Sequence, residues 1–95
     1  MFNKNTRWDR PLPQTDHDLG PRIDVLCLME KGRITPRSFS WRGRDLAVTK
    51  VLFRWKDKYG RADVFLFSVQ TPQGVYQIAF HGADLSWRLQ KLLGP

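Results

Sequence analysis

The chain has 95 residues, 41% hydrophobic and 13% aromatic, with sixteen Lys and Arg against nine Asp and Glu for a net charge of +7. That length suits one domain and excludes two independent cores, and the four Trp, six Phe and two Tyr bring the large apolar area per residue that so small a core needs. No run reaches the roughly 18 apolar residues of a membrane-spanning helix, the start is too polar for a signal peptide, and the lone Cys27 excludes an intrachain disulfide or a cysteine-rich metal site.

Residues 1–21 combine Pro11, Pro13, Gly20 and Pro21 with the polar run Gln14-Thr15-Asp16-His17-Asp18, and no period of 2 or 3.6 survives there. They read as an N-terminal arm, flexible or draped over the domain, with Trp8 as its anchor. A single β domain is expected over 22–95. Short apolar runs cut by turn signals predict six strands, at 22–30, 34–42, 44–55, 62–70, 75–81 and 85–93. The breaks are Lys31-Gly32, Arg42-Gly43, Lys58-Tyr59-Gly60, Thr71-Pro72-Gln73-Gly74 and His81-Gly82-Ala83-Asp84, spaced as in consecutive hairpins. A helix over 83–93 capped by Asp84 is the weaker alternative, since Trp87 and Leu89 also fit a strand.

Cross-strand neighbours must share a face, which tests the pairing. A two-residue turn at Arg42-Gly43 sets Phe39 opposite Leu46 and Trp41 opposite Arg44, where a cation–π pair can form. The phase of 44–55 then slips, and a bulge near Thr49-Lys50 is expected to restore it and bend the strand. Past it, Phe53 is set opposite Phe65 and Val51 opposite Phe67 across a Lys56–Asp63 connection. Val69 faces either Gln77 or Tyr76, and Phe80, Ile78 and Tyr76 face Leu85, Trp87 and Leu89. Strand 62–70 is apolar on both sides, so a second covering layer, the arm or another subunit, is expected. The expected fold is all-β: a six-stranded antiparallel meander forming a strongly bent sheet or a small barrel.

Few residues carry catalytic chemistry. His81 stands three residues before Asp84 in a turn, a pairing that polar turns produce by chance. Asp16, His17 and Asp18 are adjacent on the arm and point apart, unlike a fixed metal site. Cys27 sits in Val25-Leu26-Cys27-Leu28-Met29 with nothing basic beside it, as a small hydrophobe does rather than an activated thiolate. Gly43, Gly60, Gly74 and Gly82 are single turn glycines without the spacing of a phosphate-binding loop. A non-enzymatic, cytoplasmic protein with no cofactor and no membrane contact is expected.

Charge placement says more than its total. Residues 31–61 hold ten basic groups against Asp45 and Asp57, a net +8, while 1–30 carry a net −1 and 62–95 a net of zero. Within this third, basic residues interleave with Phe39, Trp41, Trp55 and Tyr59. Guanidinium and ammonium groups track phosphates while rings stack on bases in single-stranded nucleic acid binders. In the pairing above, Phe39, Trp41, Phe53 and Trp55 turn inward and Arg42, Arg54 and Lys56 outward. The expected site is therefore a phosphate-contacting strip of Arg33, Arg37, Arg42, Arg44, Arg54, Lys56, Lys58 and Arg61, with little base readout. Its partner is single- or double-stranded nucleic acid. The alternative is an adaptor whose strip docks an acidic protein, or a homodimer through an apolar outer face.

The run Pro36-x-x-Phe39-x-Trp41-x-Gly43-Arg44-x-Leu46-x-Val48-x-x-Val51-x-x-x-Trp55, continued by Val69, Gly74, Tyr76, Trp87 and Leu89, resembles a family of short bacterial domains of unknown function. Similar segments stand alone or close the C-terminal end of some proteins related to translesion DNA polymerases. The resemblance covers residues 22–93 and rests on core and turn residues, so it speaks to fold and carries over no catalytic residues. It implies an accessory part in DNA metabolism.

Overall fold

The computed structural model describes residues 19–94. Most of the expected arm, with Trp8 and the Asp16-His17-Asp18 trio, therefore lies outside the described residues. Eight strands follow: β1 (Arg22–Ile23), β2 (Val25–Glu30), β3 (Arg33–Trp41), β4 (Arg44–Ala47), β5 (Lys50–Tyr59), β6 (Ala62–Thr71), β7 (Gly74–His81) and β8 (Ser86–Gly94). They form a five-stranded sheet in the order β1-β8-β7-β6-β5 and a three-stranded sheet β2-β3-β4, antiparallel throughout. The all-β class is as expected, and residues 86–94 are strand rather than helix.

Eight strands replace six because two long ones divide at corners. The first breaks at Asp24 and the third at Val48-Thr49, so each contributes to both sheets. Backbone bonds are handed across these corners: the Ser40 amide donates to the Asp24 carbonyl at 2.9 Å, Val48 to Arg37 at 2.9 Å and Thr49 to Gln70 at 2.8 Å. Corner strands of this kind let two sheets wrap one core. The sheets do not close into a barrel, and the path is not a plain meander, because β1 pairs with the last strand.

Register explains the remaining differences. Phe39–Leu46 and Trp41–Arg44 pair as expected, but the guanidinium over the Trp41 ring belongs to Arg42, 5.2 Å from its centroid. The irregularity in β5 falls between Val51 and Phe53, later than expected, and Val51 faces Val69, Phe53 faces Ser68 and Trp55 faces Leu66. The supposed connection at Lys56–Asp63 is strand as far as the Tyr59–Ala62 pair, leaving Gly60-Arg61 as the turn. Of the two alternatives for Val69, the structure takes Tyr76, around a Pro72-Gln73 turn. The Thr71 hydroxyl holds this turn, donating to the Gly74 carbonyl at 2.9 Å and accepting from the Gln73 amide at 3.1 Å. Across β7 and β8, Phe80 faces Trp87 and Ile78 faces Leu89, two residues along from the expected pairs, because pairing starts only at His81–Ser86. An even shift keeps every side chain on its face. Tyr76 faces Leu92 instead of Leu89, after one further register shift between Gln77 and Ile78.

The main core joins Phe39 and Leu46 of the small sheet to Ile23, Phe67, Val69, Tyr76, Ile78, Trp87 and Leu89 of the large one. Cys27 is half-buried and packs against it. On the opposite face of the large sheet, Val64, Leu66 and Ala79 form a second cluster, as the two-sided pattern of β6 requires.

His81 ends β7 near that second face. Its Nε2 is buried without a hydrogen-bond partner among the described residues, and the Tyr59 ring stands edge-on at 6.0 Å. Burial lowers its pKa against the opposing pull of Asp84, and Arg88 lowers it further. The unfolded chain, with His near the ordinary value of about 6.5, thus takes up the proton first as pH falls. Stability is full above the unfolded pKa and is lost as pH drops from there toward the folded one. The urea midpoint is expected to fall between about pH 7.5 and pH 5, above the range in which carboxylates titrate, and His81→Gln is expected to flatten that slope. An unchanged slope in the variant would assign the pH dependence to another group.

Candidate functional site

The Lys31-Gly32 turn between β2 and β3 has both residues at positive φ, 53° and 71°, the two-residue geometry that suits the twist of a hairpin. This hairpin tip stands over the face of the large sheet and encloses a cleft of about 690 Å³ against β5, β6 and β7. Its walls are apolar: Met29 and Ile34 on one side, Phe65, Phe67 and Phe80 on the other. Phe65 and Phe80 lie side by side on neighbouring strands, their rings tilted by 34° with centroids 6.3 Å apart, and Trp87 backs both Phe80, at 5.1 Å, and Phe67, at 5.6 Å.

Cations from both hairpins line the same cleft: Lys31 and Arg33 from the tip, Arg54 and Lys56 from β5, with Glu30 the one acidic lining residue. Arg54 and Lys56 pair across to Phe67 and Phe65, which puts them on the cleft side of β5. The expectation that they project from an outer face is therefore corrected. The bulge beside Leu52 is the cause, since one extra residue turns every later side chain to the other side. The same inversion exposes rings expected in the core: Phe53 is 70% and Trp55 42% exposed. Phe39 is buried as expected, and Trp41 is half-buried against the core.

Arg54 has a specific job. The β3–β4 ladder spans only Ser38–Trp41 of β3, so the earlier carbonyls on that edge need other partners. The Arg54 Nη1 donates to the Ile34 carbonyl at 2.7 Å, and its guanidinium lies 5.6 Å from the Phe67 ring centroid. Burial, then the charge of Arg33, lowers its pKa, which places the two guanidinium groups within each other's field. Arg54 thus struts the cleft open between two strands that have parted. Lys56 and Arg33 are exposed at the mouth.

The other candidates disperse. Lys58 follows Lys56 on the same side but is bound to Asp63 at 2.6 Å, a contact that holds the Asp63 carboxyl below its usual range. Arg61 lies in the β5–β6 turn. Arg37 is exposed midway along β3. Arg42 and Arg44 lie at the far end of β3, around a separate hollow with Tyr76 and Leu89. The structure thus gathers Arg33, Arg54 and Lys56 and adds Lys31, Phe65 and Phe80, which sequence reasoning left out of the site. Lys31 was readable as the basic residue of the hairpin turn, two before Arg33; the two rings were not, because a cross-strand pairing does not show that a cleft opens over it.

A family model described as a domain of unknown function (DUF6504) matches residues 14–93. The chain belongs to this family. The match starts inside the expected arm and extends the resemblance beyond 22–93, toward the N-terminus. No curated protein and no solved structure matches the chain. Membership of this family confers kinship and a shared domain, not an activity. Among the described residues no helix is long and apolar enough to cross a membrane.

Proposed function

We propose that this domain is a non-enzymatic accessory module that contacts nucleic-acid phosphates, and that its setting is DNA metabolism, as the resemblance to polymerase-related segments implies. The observation that carries the reading is the meeting of Lys31, Arg33, Arg54 and Lys56, from two separate hairpins, around one cleft with a single acid. A polyanion with a charge on every unit gains from such a cluster by releasing its condensed counterions. Arg54 is committed to the Ile34 carbonyl, so the phosphate contacts fall to Lys31, Arg33 and Lys56, with Lys58 and Arg61 further along the β5–β6 hairpin.

About four phosphate contacts to a single strand predict an affinity loss of roughly 50-fold between about 50 and 200 mM salt. Fluorescence anisotropy with labelled oligonucleotides is the measurement. The double variant Arg33→Ala/Lys56→Ala is expected to weaken binding and flatten the salt dependence, whereas Arg42→Ala/Arg44→Ala, at the other end of β3, leaves both in place. Absence of binding at low salt, or binding indifferent to salt, would overturn the proposal. Tighter binding of an acidic peptide than of any oligonucleotide would replace it with the adaptor reading.

A further inference from the structure

We infer that the cleft receives unstacked nucleobases, so that the domain discriminates single strands from duplex; this rests on the nucleic-acid reading above. A volume of about 690 Å³ falls within the roughly 300–1,000 Å³ of sites that enclose small ligands. It exceeds what one heterocyclic base fills and is far too small to admit a double helix.

The chemistry of the walls matches a flat apolar ring. Phe65 and Phe80 are only half-buried despite their place on central strands, because their rings floor the cleft. The guanidinium of Arg54, half-buried in the cleft wall, is oriented by one bond from Nη1 to the Ile34 carbonyl and by the Phe67 face. A base entering here meets rings to stack on, and every base has a π-face. Lys31, Arg33 and Lys56 stand at the mouth, where the phosphates flanking an inserted base would lie. An acidic peptide supplies matching charge but no flat ring beside each charge, so an aromatic floor under a cationic rim favours nucleic acid. The corrected register of β5 is essential here: with the expected register, Lys56 and the ring of Phe65 would lie on opposite faces.

The experiment compares three probes of equal length by anisotropy at low salt: oligothymidylate, the same strand abasic throughout, and a duplex. An acidic peptide bearing one Phe serves as a fourth. Stacking of about 1–3 kcal/mol per base predicts that the full strand binds at least about fivefold tighter than the abasic one, and tighter than the duplex. Phe65→Leu keeps apolar bulk while removing the flat ring, and is expected to erase most of the difference between full and abasic strands; circular dichroism checks that it folds. Equal, salt-dependent binding of all three nucleic-acid probes overturns base insertion and leaves the phosphate reading standing. No binding of any oligonucleotide overturns both. Loss of the difference in Phe53→Ala but not in Phe65→Leu puts the bases on the outer face of β5, where Phe53 is exposed, and overturns the cleft assignment. Preference for the peptide over every strand overturns it as well.

Discussion

Replacement of Phe39 by alanine is expected to lower the free energy of unfolding by about 3–5 kcal/mol, the range for truncating a buried Phe. Phe39 is 1% exposed and packs its ring edge-on to Tyr76, with centroids 5.5 Å apart. It is one of two hydrophobic side chains of the small sheet fully inside the shared core, the other being its register partner Leu46. Its loss therefore leaves a cavity where the two sheets meet, and neither sheet can collapse into it without shifting the corners at Asp24 and Val48-Thr49. A domain this small starts near the low end of the usual 5–15 kcal/mol of stability, so the variant would be largely unfolded at modest urea concentrations. Phe39→Leu keeps most of the apolar volume and should lose only about 1–1.5 kcal/mol. Urea titrations followed by circular dichroism measure both. A loss under about 1 kcal/mol in Phe39→Ala would mean that the sheets are held together elsewhere.

Phe39 also marks where the fold was legible from the sequence. Its pairing with Leu46 follows from the Arg42-Gly43 turn, and the structure shows why that inference was safe: both turn residues are at positive φ, 53° and 76°, which fixes the strand register on either side. Where no such device exists, the pattern lost its phase. Val51, Leu52 and Phe53 are three apolar residues in a row, so alternation cannot say which one is extra, and the choice of Leu52 reverses the face of everything up to Tyr59. That single residue moved Arg54 and Lys56 from the outside to the cleft and Phe53 and Trp55 from the core to the surface. The turn after β7 lies where expected but runs one residue further, because Leu85, a residue with no preference for the left-handed region, adopts φ 58° there and joins the turn. The candidate site was thus legible as a list of cations but not as a place. Its assembly depends on a bulge and on a hairpin tip leaning over a sheet, neither of which has a sequence signature of its own.

Gly20→Ala is expected to be as damaging as Phe39→Ala, at about 3–5 kcal/mol, through two separable costs. Gly20 has φ +89°, and a Cβ built on it would stand 2.2 Å from the Leu89 carbonyl oxygen. The conformational cost of a side chain in the left-handed region is about 1–2 kcal/mol. The collision is the larger part, since it is with backbone and no rotamer relieves it. To make room, residues 20 and 21 must lift from β8, which strains the bond from the Leu89 amide to the Pro21 carbonyl, 3.0 Å, and that from Arg88 Nη1 to the Gly20 carbonyl, 3.1 Å. Arg88 is 2% exposed, and stripping a partner from a buried charge costs far more than the bond itself contributes. Gly43→Ala isolates the first cost: its φ is +76°, but nothing lies within 4 Å of the added carbon. Gly20→Ala should therefore lose at least twice what Gly43→Ala loses in the same urea titration. Equal losses would mean that Gly20 acts through its backbone angle alone, and that the segment before β1 tolerates displacement from β8.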